Sequence, residues 1–295
     1  CAAHLRAQRL ARVLIPVAVA SFVVFWLSGA GLGWALMVAG ALVFPIGIAG
    51  TLFDRQVTRK DSDISTFLRS LGNVASAIGI TVSNALDRLD LRSTANLAND
   101  VKHLRSRLLS RLKPELCWQR FSLETGSETI YRSVKMFNDA TRLGGDPEEV
   151  GNRSSIIAMS LDFLRAKRAQ VSSSFVILVL GMHVALVALL LFVTQVITIF
   201  SKTVEGVYSQ AVESAPMSAV QVFSFSFKNV HMLSTLVIPV ILALAGANAF
   251  AIKAADGGNR YKLYNYLAVT LGISGAMIVF VPIMAERIFS SIPKM

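Results

Sequence analysis

Glu124 and Glu128 stand four residues apart, a spacing that on one helix face would pair two carboxylates for general acid–base work. Gly126 between them breaks such a helix, and Ser127 is of a type that caps the next one. The run Glu124-Thr125-Gly126-Ser127-Glu128 therefore reads as a junction between helices. Metal and nucleophile chemistry find less. His4, His103, His183 and His231 are too scattered for a ligand set, and Cys1 and Cys117 make neither a zinc motif nor a disulfide framework. No Walker A run, His-Glu-x-x-His helix or Gly-x-Ser-x-Gly elbow occurs. Gly257-Gly258 follows an apolar helix rather than a strand, which argues against a dinucleotide site. The sequence thus predicts no catalytic residue, no cofactor and no metal, and the chain is not expected to be an enzyme.

Positive charge is the stronger signal. Arg88, Arg92, Lys102, Arg105, Arg107, Arg111 and Lys113 fall within 26 residues, offset only by Asp90 and Asp100. Nucleic acid is not the expected partner, because no aromatic residue interleaves the cluster to stack on bases. Anionic lipid headgroups, an acidic partner protein and a plain solvated face are the three readings.

The elements that must carry this cluster follow from where charge is missing. Of 295 residues, 54% are hydrophobic and only 16% charged, against about a quarter charged in ordinary soluble domains. Charge-free stretches cover residues 13–53, 169–201, 229–252 and 263–285. The first holds 41 residues with a Ser28-Gly29-Ala30-Gly31 turn inside it. At about 20 residues per crossing, it reads as a hairpin of two helices and the set as five spans. Lys and Arg number 25 on one side of that alternation and 4 on the other (Lys202, Lys228, Arg287 and Lys294), which places the rich side in the cytoplasm. The predicted order is a basic cytoplasmic N-terminus at 1–12, a transmembrane hairpin at 13–53, a cytoplasmic helical bundle at 54–172 and a third span at 173–200. An extracytoplasmic loop at 201–228, a fourth span at 229–252, a cytoplasmic loop at 253–262, a fifth span at 263–285 and an extracytoplasmic C-terminus at 286–295 complete it. Cys1 in place of a starting Met marks a fragment or a processed product. Within the spans His183, Thr194, Gln195 and Asn248 either line a path or bond neighbouring helices beside the small residues Ala243, Ala247 and Ala251. No charged residue lies deep in any span, which weakens a transporter reading in which the bundle would be a regulatory domain.

The bundle is all-α. Ile64, Phe67, Leu68, Leu71, Val74, Ala75 and Ile78 keep helical phase, as do Leu97, Val101, Leu104, Leu108 and Leu112, the latter with Ser93 as the expected cap. Shorter helices are expected at 82–90 and 114–123, and another runs from Ile130 to Thr141 and stops at Gly144-Gly145. Asp146-Pro147-Glu148-Glu149 opens the last, which continues into the third span.

These motifs, in this order, resemble a known family. Asp63-Ile64-Ser65-Thr66-Phe67-Leu68-Arg69-Ser70-Leu71-Gly72, then Gly79, and later Glu124-Thr125-Gly126-Ser127, are similar to the type II secretion F domain of the membrane platforms of secretion systems and type IV pili. The archaellar (archaeal flagellar) assembly membrane protein J family resembles the chain more closely. The residues that carry this likeness are Phe53-Asp54-Arg55, Cys117-Trp118-Gln119-Arg120-Phe121, Gly144-Gly145-Asp146-Pro147, Leu164-Arg165-Ala166-Lys167-Arg168 and Gly257-Gly258-Asn259-Arg260-Tyr261-Lys262. Members usually carry two F domains, and this chain carries one, as expected of a C-terminal half. The resemblance implies a non-enzymatic platform in the archaeal cell membrane, dimeric, with a cytoplasmic hexameric ATPase and pilin-like archaellin subunits as partners, which couples ATP hydrolysis to filament assembly and rotation. An adhesive-pilus or secretion platform is the alternative within the family. The basic residues at 88–113 are the expected ATPase contact.

Overall fold

Helical phase set by Ile64, Phe67, Leu68, Leu71 and Ala75 buries one stripe of a helix that is much longer than the stripe itself. The computed structural model, which describes residues 2–27, 31–79, 81–212 and 220–290, runs this helix unbroken over Leu32–Ile78 as α2, after α1 at Ala2–Leu27. Two compact units result, Cys1–Arg6 with Gly50–Val171 and Ala7–Ala49 with Ser172–Met295. Both α2 and α7, the latter over Pro147–Val212, pass through a unit boundary as continuous helix. No strand occurs among the described residues, as the all-α expectation requires.

The first unit adds α3 (Val82–Ala85), 3-10 turns at Leu86–Arg88 and Leu91–Thr94, α4 (Ala98–Leu109), α5 (Pro114–Thr125) and α6 (Glu128–Arg142). Its core is one cluster, in which the α2 stripe meets Val101 and Leu104 of α4, Trp118 and Phe121 of α5 and Ile130, Val134 and Phe137 of α6. The Phe121 ring centre lies 6.0 Å from those of both Phe67 and Trp118. Where α2 crosses α7, Gly72 and Gly151 let the backbones meet: a Cβ on Gly72 would lie 2.3 Å from the Pro147 carbonyl oxygen. The α6 terminus is a Schellman motif, with Gly144 at φ 91° and the Gly145 amide donating to the Ala140 carbonyl at 3.0 Å. Asp146 then caps α7 by accepting from the Glu149 amide at 3.2 Å.

Two boundaries depart from the periodicity. Helix α4 starts at Ala98 and is not capped by Ser93, which lies in the preceding 3-10 turn. Asp63 accepts from both the backbone and side-chain amides of Asn96, at 2.9 and 3.0 Å, and holds the chain out of helix up to that point. The expected 82–90 helix is divided between α3 and a 3-10 turn.

The second unit holds the apolar helices. Among the described residues four are long and apolar enough to cross a membrane, within α2, α7, α8 (Val220–Asp256) and α9 (Lys262–Ser290). Ala11–Phe25 in α1 is a shorter apolar stretch. The segment expected as a loop at 201–228 is helical through Val212 and again from Val220; 213–219 and the turn residues 28–30 lie outside the described residues. Gly33, Gly40 and Gly47 recur every seven residues on α2 and face α9, with a Cβ on Gly47 falling 2.4 Å from Asn265 Cα. Small residues at this spacing allow the close backbone approach on which helix association in lipid depends. On α8 the buried stripe is Ile241, Ala245, Ala249 and Ile252; Ala243 and Ala247 are exposed and Ala251 half-buried, so the expected small-residue face is turned away from this packing.

Candidate functional site

The basic cluster lies in the first unit and divides into two kinds of residue. Arg105 is paired with Asp87 at 2.5 Å, and Arg107 donates to Glu124 at 2.7 Å, with Arg120 at 3.6 Å from the same carboxylate. These arginines tie α4 to its neighbours. The hydrogen bond from Arg107 holds the Glu124 carboxyl below the usual carboxylate range, and Arg107 is raised in return. Arg88, Arg92, Lys102, Arg111 and Lys113 have exposed side chains, as Arg105 also has despite its pair with Asp87. Lys102, Arg105 and Leu109 share the outer face of α4, opposite the buried Val101 and Leu104. The α4–α5 turn then presents Arg111, at φ 55°, and Lys113. The Glu124/Glu128 pair does no joint chemistry here: Glu128 pairs with Arg132 at 2.8 Å, on the far side of the Gly126 break, and Ser127 caps α6.

The residues that carry the family resemblance build the scaffold. Phe67, Leu68, Trp118 and Phe121 are core. Arg69 donates to Ser155 at 3.3 Å and Gly72 makes the α2–α7 crossing. Gly79, Gly126 and Gly144 take positive φ at helix ends, where a side chain would be strained. Gly257 and Gly258 turn the chain between α8 and α9, and the Lys253 ammonium donates to their carbonyls, at 2.5 and 3.3 Å. Lys262 and Tyr266 both bind Asp256, each at 3.0 Å, which closes that loop.

Sequence reasoning missed Asp61. Its side chain is fully buried, accepts from Ser127 Oγ and pairs with Arg165, so one carboxylate joins α2, the α6 cap and α7. Burial pushes its pKa up, against the opposing pull of Ser127 and Arg165. Burial likewise raises the Cys117 thiol.

In the second unit His183 is enclosed. Asn248 Nδ2 donates to its Nδ1 at 3.0 Å, which leaves the Nε2 proton for Ser274 Oγ at 3.0 Å and the Thr270 carbonyl at 3.3 Å. Thr270 Oγ1 donates to the Ala245 carbonyl at 3.2 Å. The group bonds α7, α8 and α9 to one another, the second of the two roles open to it. Thr194 donates to the Leu190 carbonyl of its own helix at 2.7 Å. Among the described residues no group of three or more His, Cys, Asp or Glu could hold a metal ion.

Comparison with known proteins supplies the decisive observation. Over 239 residues, 79% of its length, the chain is 27% identical to flagella accessory protein J of Methanocaldococcus jannaschii. Over 260 residues, 85% of its length, it is 27% identical to the protein of the same name from Methanococcus voltae. This chain is similar to flagella accessory protein J. It spans 42% and 44% of those two relatives, less than half of either. Each matched stretch is longer than either compact unit, so the likeness to accessory protein J reaches into both the bundle and the apolar helices. No family model matches the chain, and no solved structure matches it.

Proposed function

We propose that this chain is part of a non-enzymatic platform for archaellum assembly, in which the helical bundle receives a cytoplasmic hexameric ATPase and the apolar helices handle pilin-like archaellin subunits. The observation that carries this reading is the similarity to flagella accessory protein J across four-fifths of the chain, in bundle and apolar helices alike. Helices α2 and α7 support it physically. Each continues from bundle residues into a membrane-length apolar stretch with no loop in which motion could dissipate. On this reading the chain is a five-span, multi-pass protein of the archaeal cell membrane, dimeric, with its N-terminus and bundle in the cytoplasm and its C-terminus outside.

The ATPase contact is the exposed part of the basic face. Arg107 is half-buried against Glu124 and Arg105 is already engaged with Asp87, so reversing either would disturb an ion pair within the bundle as well as any contact outside it. Lys102, Arg111 and Lys113 are exposed and separate the two. The full-length chain with K102E, R111E and K113E is expected to keep its thermal melt and lose co-purification with the archaellar ATPase. Undiminished co-purification would remove this face from the assignment. A deletion strain that swims normally would remove the archaellum.

A further inference from the structure

One end of the bundle exposes leucines where a solvated surface would carry polar groups. Leu109 closes α4 at 63% exposure, Leu112 lies in the turn at 53%, Leu116 opens α5 at 59%, and Leu143 ends α6 at 89%. The first three fall within eight residues of chain. The fourth is brought to them by the ion pair between Arg142, its neighbour in sequence, and Glu115, the neighbour of Leu116. Arg111 and Lys113 alternate with these leucines, and Arg111 holds a left-handed backbone conformation, at φ 55°, that non-glycine residues seldom adopt. A strained turn that shows leucine and arginine to solvent is a feature of recognition surfaces, not of a core.

Lys60 pairs with Asp100 near the start of α4, and Asp61 binds Ser127 after the end of α5, so both helices are anchored at residues 60–61 of α2 and extend away from there. Helix α6 runs the same way from Ser127 and delivers Asp146 to Ser76, 3.4 Å apart. The leucine tip is therefore at the Ser76 level of α2. Arg111 and Lys113 give this apolar patch a positive rim, continuous with the exposed basic face of α4, and that charge fits an acidic partner protein.

We infer that this tip, made of Leu109, Leu112, Leu116 and Leu143 with Arg111 and Lys113 between them, is a docking knob for a protein that offers an apolar socket with an acidic rim. The inference rests on the reading above, in which that protein is the cytoplasmic ATPase, and adds that apolar burial as well as charge holds the two together.

The full-length chain in zwitterionic nanodiscs, titrated with purified archaellar ATPase at about 0.1 M and about 0.5 M NaCl, tests it, because salt screens charge and leaves apolar burial intact. L112S/L116S/L143S removes only exposed side chains and is expected to leave the thermal melt unchanged while weakening binding roughly tenfold or more at both salt concentrations. K102E/R111E/K113E is expected to weaken binding mainly at the lower one. Wild-type affinity of the leucine variant beside a defective basic variant overturns the knob and leaves the ATPase reading standing. Wild-type affinity of both variants overturns the knob and the basic face together, and failure of the unsubstituted chain to bind ATPase removes both readings. A leucine variant that loses only self-association, or only binding to phosphatidylglycerol vesicles, also overturns the inference, in favour of a second copy or of lipid.

Discussion

Asp61 shows how much one side chain can determine and how its phase betrays it. A fully buried carboxylate is costly to ionise, and here the cost is offset by Arg165, whose own side chain is 43% exposed. The two partners are therefore unequal: Arg165 freed of Asp61 can return to water, whereas Asp61 freed of Arg165 is a charge stranded in the core. R165A is expected to lower stability by about 3 kcal/mol, D61N to change it by no more than about 1 kcal/mol, and D61N to restore most of the loss when added to R165A. Urea unfolding of the full-length variants followed by tryptophan fluorescence measures all three. A double variant no better than R165A would mean that Asp61 is not the stranded charge. The pH dependence follows with its sign. Because the folded-state pKa of Asp61 is raised above 3.8, the folded state binds the extra proton, and this residue's contribution to stability falls as pH rises through that interval. Glu124, lowered from 4.5 by Arg107, works the other way: its contribution is present above that value and is lost on acidification. D61N should therefore lose stability more steeply than wild type as pH falls. The sequence does contain the signal, since Asp61 precedes Ile64, Leu68 and Leu71 by three, seven and ten residues and so lies on the buried stripe. The neighbouring Asp63, on the solvated side, hides it from any reading by composition.

At the scale of elements, periodicity found helices and failed at their ends and at their choice of partner. The α2 stripe, the Gly126 break and the Gly144-Gly145 stop were legible because local chemistry fixes them. The start of α4 was not, since Asp63, more than thirty residues earlier, decides it through Asn96. Alanines occupy 243, 245, 247, 249 and 251 alike, so spacing alone could not select the Ala245–Ala249 face that Ile241, Ile252 and the Thr270 hydrogen bond pick out. Glycine gives the sharpest test of the packing that results. A methyl on Gly47 would sit 2.4 Å from Asn265 Cα, and one on Gly72 2.3 Å from the Pro147 carbonyl oxygen, and neither obstacle is a flexible side chain. A methyl on Gly181, in the same class of apolar helix, would meet nothing within 4 Å. G47A and G72A should each cost about 1–3 kcal/mol by overpacking, and G181A should be neutral or stabilising by up to about 1 kcal/mol. Thermal unfolding in detergent compares them directly, and equal melting of G47A and G181A would deny the close α2–α9 approach.

The whole chain poses a question of sidedness that the ATPase reading cannot do without. Lys and Arg number 25 on one side of the apolar helices and 4 on the other, and the docking face lies wholly within the richer set. If that set faced outward, no cytoplasmic motor could reach Lys102, Arg111 or Lys113. Cysteine labelling resolves it in a chain with Cys1 and Cys117 replaced by serine, using a membrane-impermeant maleimide. S93C and R260C should react only in inverted vesicles, and K202C only in intact cells; reaction of S93C in intact cells would reverse the orientation and end the motor reading. Arg9 carries the remaining question, because four of the described helices are long and apolar enough to cross whereas the charge-free stretches predict five spans, α1 being the fifth. On the proposed orientation helix α2 enters the cytoplasm at its C-terminal end whether or not α1 spans. Arg9 therefore shares a side with Ser93 if α1 crosses and with Lys202 if it does not. The three arginines at positions 6, 9 and 12 favour the cytoplasm, so R9C is expected to label in inverted vesicles together with S93C. Labelling together with K202C would leave four spans and place those three positive charges on the side that otherwise holds four.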